Sequence, residues 1–288
     1  PGIRTTVFFK GCPLRCLWCH NPESINFQPE IAFYREFCIG CKHCLEVCPN
    51  QCHQFVDSTR VFHRERCTGC GLCAEECCAE ALVLKGKEYT IAQVLAEVEK
   101  DRPFYERSGG GLTVSGGEPL AQPQFCLEVL KQAKQRGIHT VVDTSGYVKW
   151  ETFQEALAWT DLFLFDVKAD DVELHKRLTG VNNTRIKENL RKLIERNASL
   201  IVRIPLIPEC NDAPSEIARI ADMLKRFGSA PPVHILPYHQ FAEQKYQPIG
   251  MEYGLQGIQP PAPDHLRQLG QIFEDRGLRV DVKGLKDT

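Results

Sequence analysis

The chain has 288 residues, of which 43% are hydrophobic and 25% are charged, so it is ordinary globular material for one large domain or two smaller ones. A formal net charge of -2 gives no support for bulk attraction to nucleic acid or to a membrane, and no apolar run approaches the roughly 18 residues of a membrane span. The unusual number is the 15 cysteines, all but two of which lie between Cys12 and Cys78 in C-x2-C ladders that suit metal better than disulfides.

The first predicted element is a strand at residues 3–10, where the sequence IRTTVFFK is rich in Val, Phe and Thr. It runs into a loop that holds Cys12, Cys16 and Cys19 in C-x3-C-x2-C spacing. Iron–sulfur clusters and structural zinc sites normally take four protein ligands. Three cysteines therefore predict a centre with one open position, and in metal sites an open position is where substrate binds.

Residues 30–85 are rich in cysteine, have short segments and show little periodicity, which predicts a module inserted into the surrounding domain. Two runs of C-x2-C-x2-C-x3-C lie within it, as in bacterial two-cluster ferredoxins, where the fourth cysteine of each run ligates the other cluster. Structural zinc is the alternative, but zinc sites seldom use four thiolates in one such run. The predicted ligand sets are Cys38, Cys41, Cys44 and Cys77 for one [4Fe-4S] cluster, and Cys67, Cys70, Cys73 and Cys48 for the other.

Four cysteines fall outside these sets. Cys52 and Cys78 are either alternative cluster ligands or small thiols near the clusters, and we favour the second interpretation. Cys126 lies in a predicted helix and Cys210 follows a strand, and we interpret both as structural. Because exposed clusters oxidise and no export signal is visible, we expect a reducing cytoplasm in an anaerobic cell.

From Thr90 onward, helical and strand patterns alternate, which predicts parallel β/α units. With the first strand the count is about six, so the predicted fold is an open or partial (β/α)6 barrel made of residues 1–29 and 86–288. Continuous apolar strands suit a sheet buried on both faces. The predicted helices cover 90–100, 123–136, 150–158, 184–197, 213–227 and 262–276, and the predicted strands cover 110–116, 138–143, 161–168, 199–207 and 232–238.

Chemistry in parallel β/α folds gathers at the carboxyl ends of the strands, and polar motifs stand there in this chain. In SGGEPL (115–120), glycines let the backbone approach a ligand closely and Glu118 adds a carboxylate, although a plain glycine turn is the alternative. Asp143, Thr144 and Asp166 offer hard oxygens of the kind that bind a cation, although such residues often only cap helices.

Three basic side chains accompany these motifs. Lys168 offers a positive charge two residues after Asp166. Arg203 lies inside an apolar strand, and because arginine is rarely buried unpaired, it must find a carboxylate, either that of a bound cofactor or that of a structural aspartate. His239 follows another strand, where a lone histidine is often structural.

The stretch CPLRCLWC carries the C-x3-C-x2-C signature of radical S-adenosylmethionine (SAM) enzymes, with an aromatic residue before the last cysteine. The longer sequence PGIRTTVFFKGCPLRCLWCHNPES closely resembles glycyl radical enzyme activating enzymes of the pyruvate formate-lyase activase type. The resemblance extends over nearly the whole chain and includes the inserted ferredoxin-like module.

This resemblance implies an activity. Cys12, Cys16 and Cys19 would hold a [4Fe-4S] cluster whose unique iron binds SAM through its amine and carboxylate. One electron would cleave the sulfonium C–S bond, and the resulting 5'-deoxyadenosyl radical would abstract a Cα hydrogen from a glycine of a partner glycyl radical enzyme. With the two inserted clusters, the expected total is three [4Fe-4S] clusters.

The resemblance also implies roles for the strand-end residues. Gly116, Gly117 and Glu118 of the GGEP motif would hold the methionyl ammonium. A monovalent cation beside the cofactor carboxylate would lie between Asp143, Thr144, Asp166 and a main-chain carbonyl. The residues expected near the cofactor are Lys168, Arg203 and His239, and those expected to tune or shield the cluster are Trp18, His20 and Asn21.

The inserted clusters are expected to relay electrons from a flavodoxin or ferredoxin, and the protein is expected to act as a monomer. Two alternatives remain. One is a radical SAM enzyme that acts on another peptide or on a small molecule. The other is an electron-transfer protein without chemistry of its own, against which the three-cysteine loop and the GGEP motif argue. No loop of the sequence carries a motif that identifies the partner enzyme.

Overall fold

The computed structural model describes residues 2–57 and 59–285. The strands are β1 (Arg4–Phe9), β2 (Glu30–Phe33), β3 (His53–Val56), β4 (Thr59–Phe62), β5 (Leu82–Lys85), β6 (Gly111–Gly116), β7 (His139–Thr144), β8 (Leu162–Asp166), β9 (Leu200–Leu206), β10 (Val233–Pro237) and β11 (Val280–Val282). The helices are α1 (His43–Glu46), α2 (Leu72–Glu75), α3 (Ile91–Lys100), α4 (Arg102–Ser108), α5 (Pro123–Gln135), α6 (Trp150–Ala156), α7 (Val172–Thr179), α8 (Thr184–Glu195), α9 (Pro214–Arg226) and α10 (Pro263–Glu274). None of the helices in this described part has the length and apolar character of a membrane span.

Seven of these strands form one parallel sheet in the order β1-β6-β7-β8-β9-β10-β11. The predicted α/β class with a parallel sheet is confirmed, but the predicted count of six strands is wrong by one. The additional strand, β11, has only three residues, which is too short to give a recognisable alternation of its own. Its pairing with β10 is a tertiary contact that local sequence does not encode.

The two faces of the sheet differ in chemistry because side chains alternate along each strand. The fully buried Val202 and Ile204 of β9 belong to the large core that contains the surrounding helices, whereas Arg203 between them points to the other face. Arg203 pairs in register with Asp166 of β8, so the polar residues of neighbouring strands lie side by side. The prediction of a sheet buried on both faces therefore holds for the helix side, while the opposite face carries half-buried polar groups.

The cysteine-rich segment has much less regular structure. Its outer strands, β2 and β5, pair antiparallel at its two ends, and β3 and β4 form a hairpin between them. Its two α-helices have four residues each, and its described residues form one small apolar cluster with Ile31, Cys73 and Leu82 as its buried members. The division of the chain into a domain at 30–85 and a flanking domain stays a prediction.

One side chain ties this segment to the rest of the chain. Arg64, just after β4, donates one hydrogen bond to the carbonyl of Ile31 at 2.6 Å and another to the carbonyl of Pro248. A β-carbon on Gly250, which has a φ of 73°, would overlap the Arg64 side chain. The tether therefore depends on a glycine at position 250 as well as on the arginine.

Candidate functional site

A cavity of about 480 Å³ opens at the carboxyl ends of the sheet strands. Its wall combines the loop after β1 with the ends of β6 to β10, as expected for a parallel β/α fold. Apart from the inserted cysteines, the structure places all of the predicted site residues in this wall except Glu118 and Thr144. Those in the wall are Cys12, Cys16, Cys19, Gly116, Gly117, Asp143, Asp166, Lys168, Arg203 and His239.

The three-cysteine loop is anchored on both sides. Its backbone nitrogens bond to distant carbonyls, with Cys12 donating to Ile25 at 3.1 Å and Leu17 donating to Leu178 at 3.1 Å. The Tyr246 hydroxyl donates to the Cys19 carbonyl at 2.9 Å. Because the protein matrix fixes the loop in this way, the cysteine side chains are presented to the cavity by the fold itself.

The thiols fit a cluster in their chemistry. Burial raises the pKa of Cys12 and Cys16 to about 12 and also raises the pKa of Cys19, so the free thiols stay protonated. Iron would displace those protons, because the thiolate is the ligand form. Within residues 2–57 and 59–285, no three His, Cys, Asp or Glu side chains are grouped for a single metal ion. Three thiols in one cavity wall suit a cluster, whose ligands bond different iron atoms.

The glycine pair of SGGEPL is required by close backbone contact. A β-carbon on Gly117 would overlap the Gly11 carbonyl oxygen, and one on Gly116 would overlap backbone atoms of Phe9. The Gly117 nitrogen donates to the Phe9 carbonyl at 2.8 Å, and the Glu118 nitrogen donates to the Gly11 carbonyl at 2.8 Å. The glycines therefore let the end of β6 lie directly against the cysteine loop, which puts their backbone in the cavity wall.

Glu118 and Thr144 are not among the residues that line the cavity. Glu118 is fully buried, and its carboxylate accepts hydrogen bonds from the Thr144 hydroxyl at 2.9 Å, the Ser145 hydroxyl at 2.6 Å and the Ser145 nitrogen at 2.8 Å. Burial raises the pKa of Glu118, and these donors oppose the rise. Both side chains join the ends of β6 and β7, and Glu118 reaches the cavity wall only through Ser145, which lines it.

Two carboxylates and two cations form a network of ion pairs in the cavity wall. Arg203 donates to Asp166 at 2.8 Å and also pairs with Asp143, and Lys168 donates to Asp166 at 2.9 Å. Of the two partners predicted for Arg203, the structure shows structural aspartates. Burial lowers the pKa of Arg203 and Lys168, but the carboxylates outweigh it and raise both values. Burial likewise raises the pKa of Asp166, but the two cations hold it below its usual range.

Two histidines form a second polar part of the wall. The rings of His20 and His239 lie 4.3 Å apart, and the buried atoms His20 Nε2 and His239 Nδ1 have no hydrogen-bond partner among the residues that the structure describes. Burial and His239 lower the pKa of His20 to about 4, so its ring is neutral near pH 7. Because buried polar atoms almost always have a partner, these two nitrogens indicate that the cavity is built for a polar ligand.

Some residues of the wall were not predicted. Ser115 donates to Asp143 at 2.9 Å and lines the cavity, and a polar residue just before the glycine pair was the available signal. Lys283 also lines the cavity from the turn after β11. Because β11 has no strand pattern of its own, the sequence offered no signal that this lysine approaches the site.

The inserted cysteines gather around two smaller cavities, and all fifteen cysteines of the chain are free thiols. Cys52 is buried and lines the second cavity, whereas Cys78 is exposed and lines neither. Cys73 lines both. The four cysteines of the first predicted ligand set, Cys38, Cys41, Cys44 and Cys77, line the first cavity, and those of the second, Cys48, Cys67, Cys70 and Cys73, line the second.

Comparison with known proteins gives matches over most of the chain. The family model described as the Radical SAM superfamily matches residues 6–224. The chain is 41% identical over 287 residues to the trans-4-hydroxy-L-proline dehydratase activating enzyme of Clostridioides difficile, covering 99% of this chain and 95% of that protein. It is 45% identical over 253 residues to the isethionate sulfite-lyase activating enzyme of Oleidesulfovibrio alaskensis, covering 85% and 81%.

A solved structure is similar as well. A domain of pyruvate-formate lyase-activating enzyme from Bacteroides vulgatus superposes with a TM-score of 0.53 at 32% identity. The match covers 61% of this chain and 99% of that one.

Proposed function

The chain belongs to the radical SAM superfamily and, within it, to the glycyl radical enzyme activating enzymes, and from this premise we propose how its own residues serve that activity. It is an enzyme that cleaves SAM and generates a glycyl radical on a partner enzyme. The observation that carries the residue-level proposal is that three half-buried cysteines and two histidine nitrogens without a partner in the described part of the chain line one cavity.

Cys12, Cys16 and Cys19 would hold a [4Fe-4S] cluster with one iron free of protein ligands. When bound, this cluster and SAM supply the electron and the 5'-deoxyadenosyl radical that removes a Cα hydrogen atom from one glycine of the partner. Because a hydrogen atom is moved rather than a proton, no side chain is needed as a general base. The work of the chain is to place the cofactor and the glycine and to exclude water.

Different residues of the polar wall would bind different groups of the cofactor. The backbone of Gly116 and Gly117 would face the methionyl ammonium, because the missing β-carbons allow that approach. Lys168 and Arg203, two of the cations of the wall, would face the cofactor carboxylate. Glu118 would act indirectly, by holding the ends of β6 and β7 together.

The histidines and the apolar wall complete the cofactor site. The unpartnered nitrogens of His20 and His239 would bond polar atoms of the cofactor. Trp18 and Tyr238 are almost fully buried and line the same cavity, so they would exclude water from the radical chemistry.

A cation beside the cofactor carboxylate would compete for oxygens that already have partners. Asp143 and Asp166 are bonded by Arg203 and Lys168 in this structure, and Thr144 is bonded to Glu118. We propose that a monovalent cation binds here only when the cofactor carboxylate draws a basic side chain away from the aspartates.

Residues 30–85 would form a ferredoxin-like domain with two further [4Fe-4S] clusters, supported by the two cavities that collect the predicted ligand sets. The second cavity lies nearer the base of the insertion. Gly69, between two residues that line this cavity, packs against the Pro29 carbonyl. Glu30, which follows Pro29, bonds Lys10 at 2.7 Å. One predicted ligand at each cavity is exposed, Cys41 at the first and Cys70 at the second. Electrons from a flavodoxin or ferredoxin would enter through these inserted clusters. Exposed clusters oxidise, so the protein would act in a reducing, anaerobic cytoplasm, and we propose that it acts as a monomer.

The test is anaerobic reconstitution with iron and sulfide, followed by dithionite, SAM and a candidate glycyl radical enzyme such as a hydroxyproline dehydratase. We expect a glycyl doublet in the electron paramagnetic resonance (EPR) spectrum of the partner, together with deoxyadenosine. Both should be lost in Cys16→Ala and kept in Cys210→Ala, a matched control whose thiol lies outside the cavity. Loss in both variants, or no deoxyadenosine from fully loaded protein, would overturn the proposal. Deoxyadenosine without a doublet from every candidate partner would point to another substrate.

A further inference from the structure

Two buried polar side chains link the two cysteine cavities of the insertion. His53 on β3 and Arg60 on β4 are each only 5% exposed, and Arg60 Nη2 lies 2.6 Å from His53 Nδ1. Arg60 lines the first cavity, and His53 lines the second. The pair therefore spans the wall between the two predicted cluster sites.

Both side chains have buried polar atoms without partners. Arg60 Nε and Nη1 and His53 Nε2 make no hydrogen bond within the part of the chain that the structure describes. An unsatisfied buried donor costs about 1–3 kcal/mol, and more when the group is charged. A buried arginine with two unused N–H groups is therefore a strong indication that an acceptor belongs beside it.

The chemistry of the pair identifies which way each atom acts. An arginine can only donate, so His53 Nδ1 must accept from Arg60. A neutral imidazole that accepts at Nδ1 carries its proton on Nε2, so the unpartnered Nε2 is a donor. Burial and the Arg60 charge lower the pKa of His53 to about 4, which agrees with a neutral ring. All three unpartnered atoms of the pair are thus donors that require acceptors.

Aromatic rings hold the pair in place. The Arg60 guanidinium lies 4.0 Å from the ring centroid of Phe33, and the His53 ring stacks on Phe62 at 4.9 Å. Cys44, a predicted ligand of the first cluster, lines the same cavity as Arg60. These contacts remove the freedom of Arg60 to turn toward solvent.

We infer that Arg60 and His53 tune the reduction potentials of the two inserted clusters, Arg60 by donating to sulfur of the first and His53 by donating to sulfur of the second. The inference rests on the proposed function, because it requires clusters at both cavities. Reduction adds negative charge to a cluster, so a donor or a positive charge beside it favours the reduced state and raises its potential. Arg60 brings a full charge and His53 only a neutral N–H, so the first cluster has the higher potential.

The experiment isolates the inserted clusters. The full chain with Cys12, Cys16 and Cys19 all replaced by Ala is reconstituted anaerobically, iron is counted, and a potentiometric titration is followed by EPR. Arg60→Met should shift one midpoint potential to a more negative value, and Arg60→Lys, which keeps the charge, should shift it less. Arg35→Met is the matched control, since it removes the same charge from an exposed side chain in the same segment and should shift it least. His53→Phe should shift the other midpoint.

The outcomes separate the inference from the proposal on which it rests. If the background protein binds far fewer than about eight iron atoms, the two-cluster insertion itself fails, and the inference with it. If iron is complete but Arg60→Met and Arg35→Met shift the potentials equally, the tuning role is overturned. If Arg60 and His53 variants shift the same midpoint, the division between the clusters is overturned. Should Arg60→Met not retain clusters, Arg60→Lys and Arg60→Gln carry the test, because the charge-retaining variant must have the higher potential.

Discussion

The cavity on the parallel sheet and the inserted segment present cysteines by different physical means. The loop of Cys12, Cys16 and Cys19 is anchored by backbone hydrogen bonds and lies on a seven-stranded sheet with a large core. The insertion has strands and helices of four residues each, and its described residues form one small apolar cluster around Ile31, Cys73 and Leu82. The sheet can hold its site open without a ligand, whereas we expect a segment with so little apolar burial to depend on the proposed clusters for its fold.

The largest expected effect is a difference in how the insertion and the sheet domain respond to loss of iron. We expect chelation of iron to unfold the insertion and to leave the sheet domain folded, because metal binding supplies folding free energy where the apolar core is small. Limited proteolysis of the iron-free chain should cut within residues 34–81 and spare residues 90–280. Hydrogen exchange that protects both regions equally after chelation would contradict the contrast.

A second test concerns the charges that hold the sheet cavity. Arg203→Met should lower the free energy of unfolding by about 3–5 kcal/mol, because it leaves Asp143 and Asp166 buried without their shared partner. Urea unfolding of the iron-free chain, followed by tryptophan fluorescence, measures the loss. The control is Arg191→Met, which removes an exposed pair with Glu195 and should cost less than about 1 kcal/mol. Similar losses in the two variants would show that the cavity network does not stabilise the fold.

The smallest expected effects compare two residues near the sheet cavity, Glu118 behind its wall and His239 within it. Glu118→Gln should lower the free energy of unfolding by about 1–3 kcal/mol, because an amide cannot accept from all of the Ser145 and Thr144 donors. His239→Ala should instead weaken SAM binding by about fivefold, since one hydrogen bond is worth about 1 kcal/mol and the His239 ring is in the cavity wall.

Calorimetric titration of SAM into cluster-loaded protein, together with the unfolding data, tests whether Glu118→Gln lowers stability and His239→Ala lowers SAM affinity. A Glu118→Gln variant of normal stability that fails to bind SAM would place the carboxylate in direct contact with the cofactor.

Much of this could be predicted from sequence, and each failure has a physical cause. The alternation of Arg203 between apolar neighbours required a polar partner for it, but which carboxylate it meets depends on the register of β8 and β9. The direction of Glu118 was not predictable, because Gly116 has a φ of 109° and turns the chain just before it. The pairing of His53 with Arg60 was missed because it joins two short strands of an irregular segment across a hairpin.

The tether made by Arg64 gives the insertion a second fixed point besides the β2–β5 base. A segment attached at one base alone could swing, and the distance from its proposed clusters to the sheet cavity would vary with that movement. Because Arg64 bonds both Ile31 and Pro248, the segment is held at one distance from the sheet cavity. A transfer of this segment to another activating enzyme must therefore include Gly250 together with Arg64, because a side chain at position 250 would overlap the arginine.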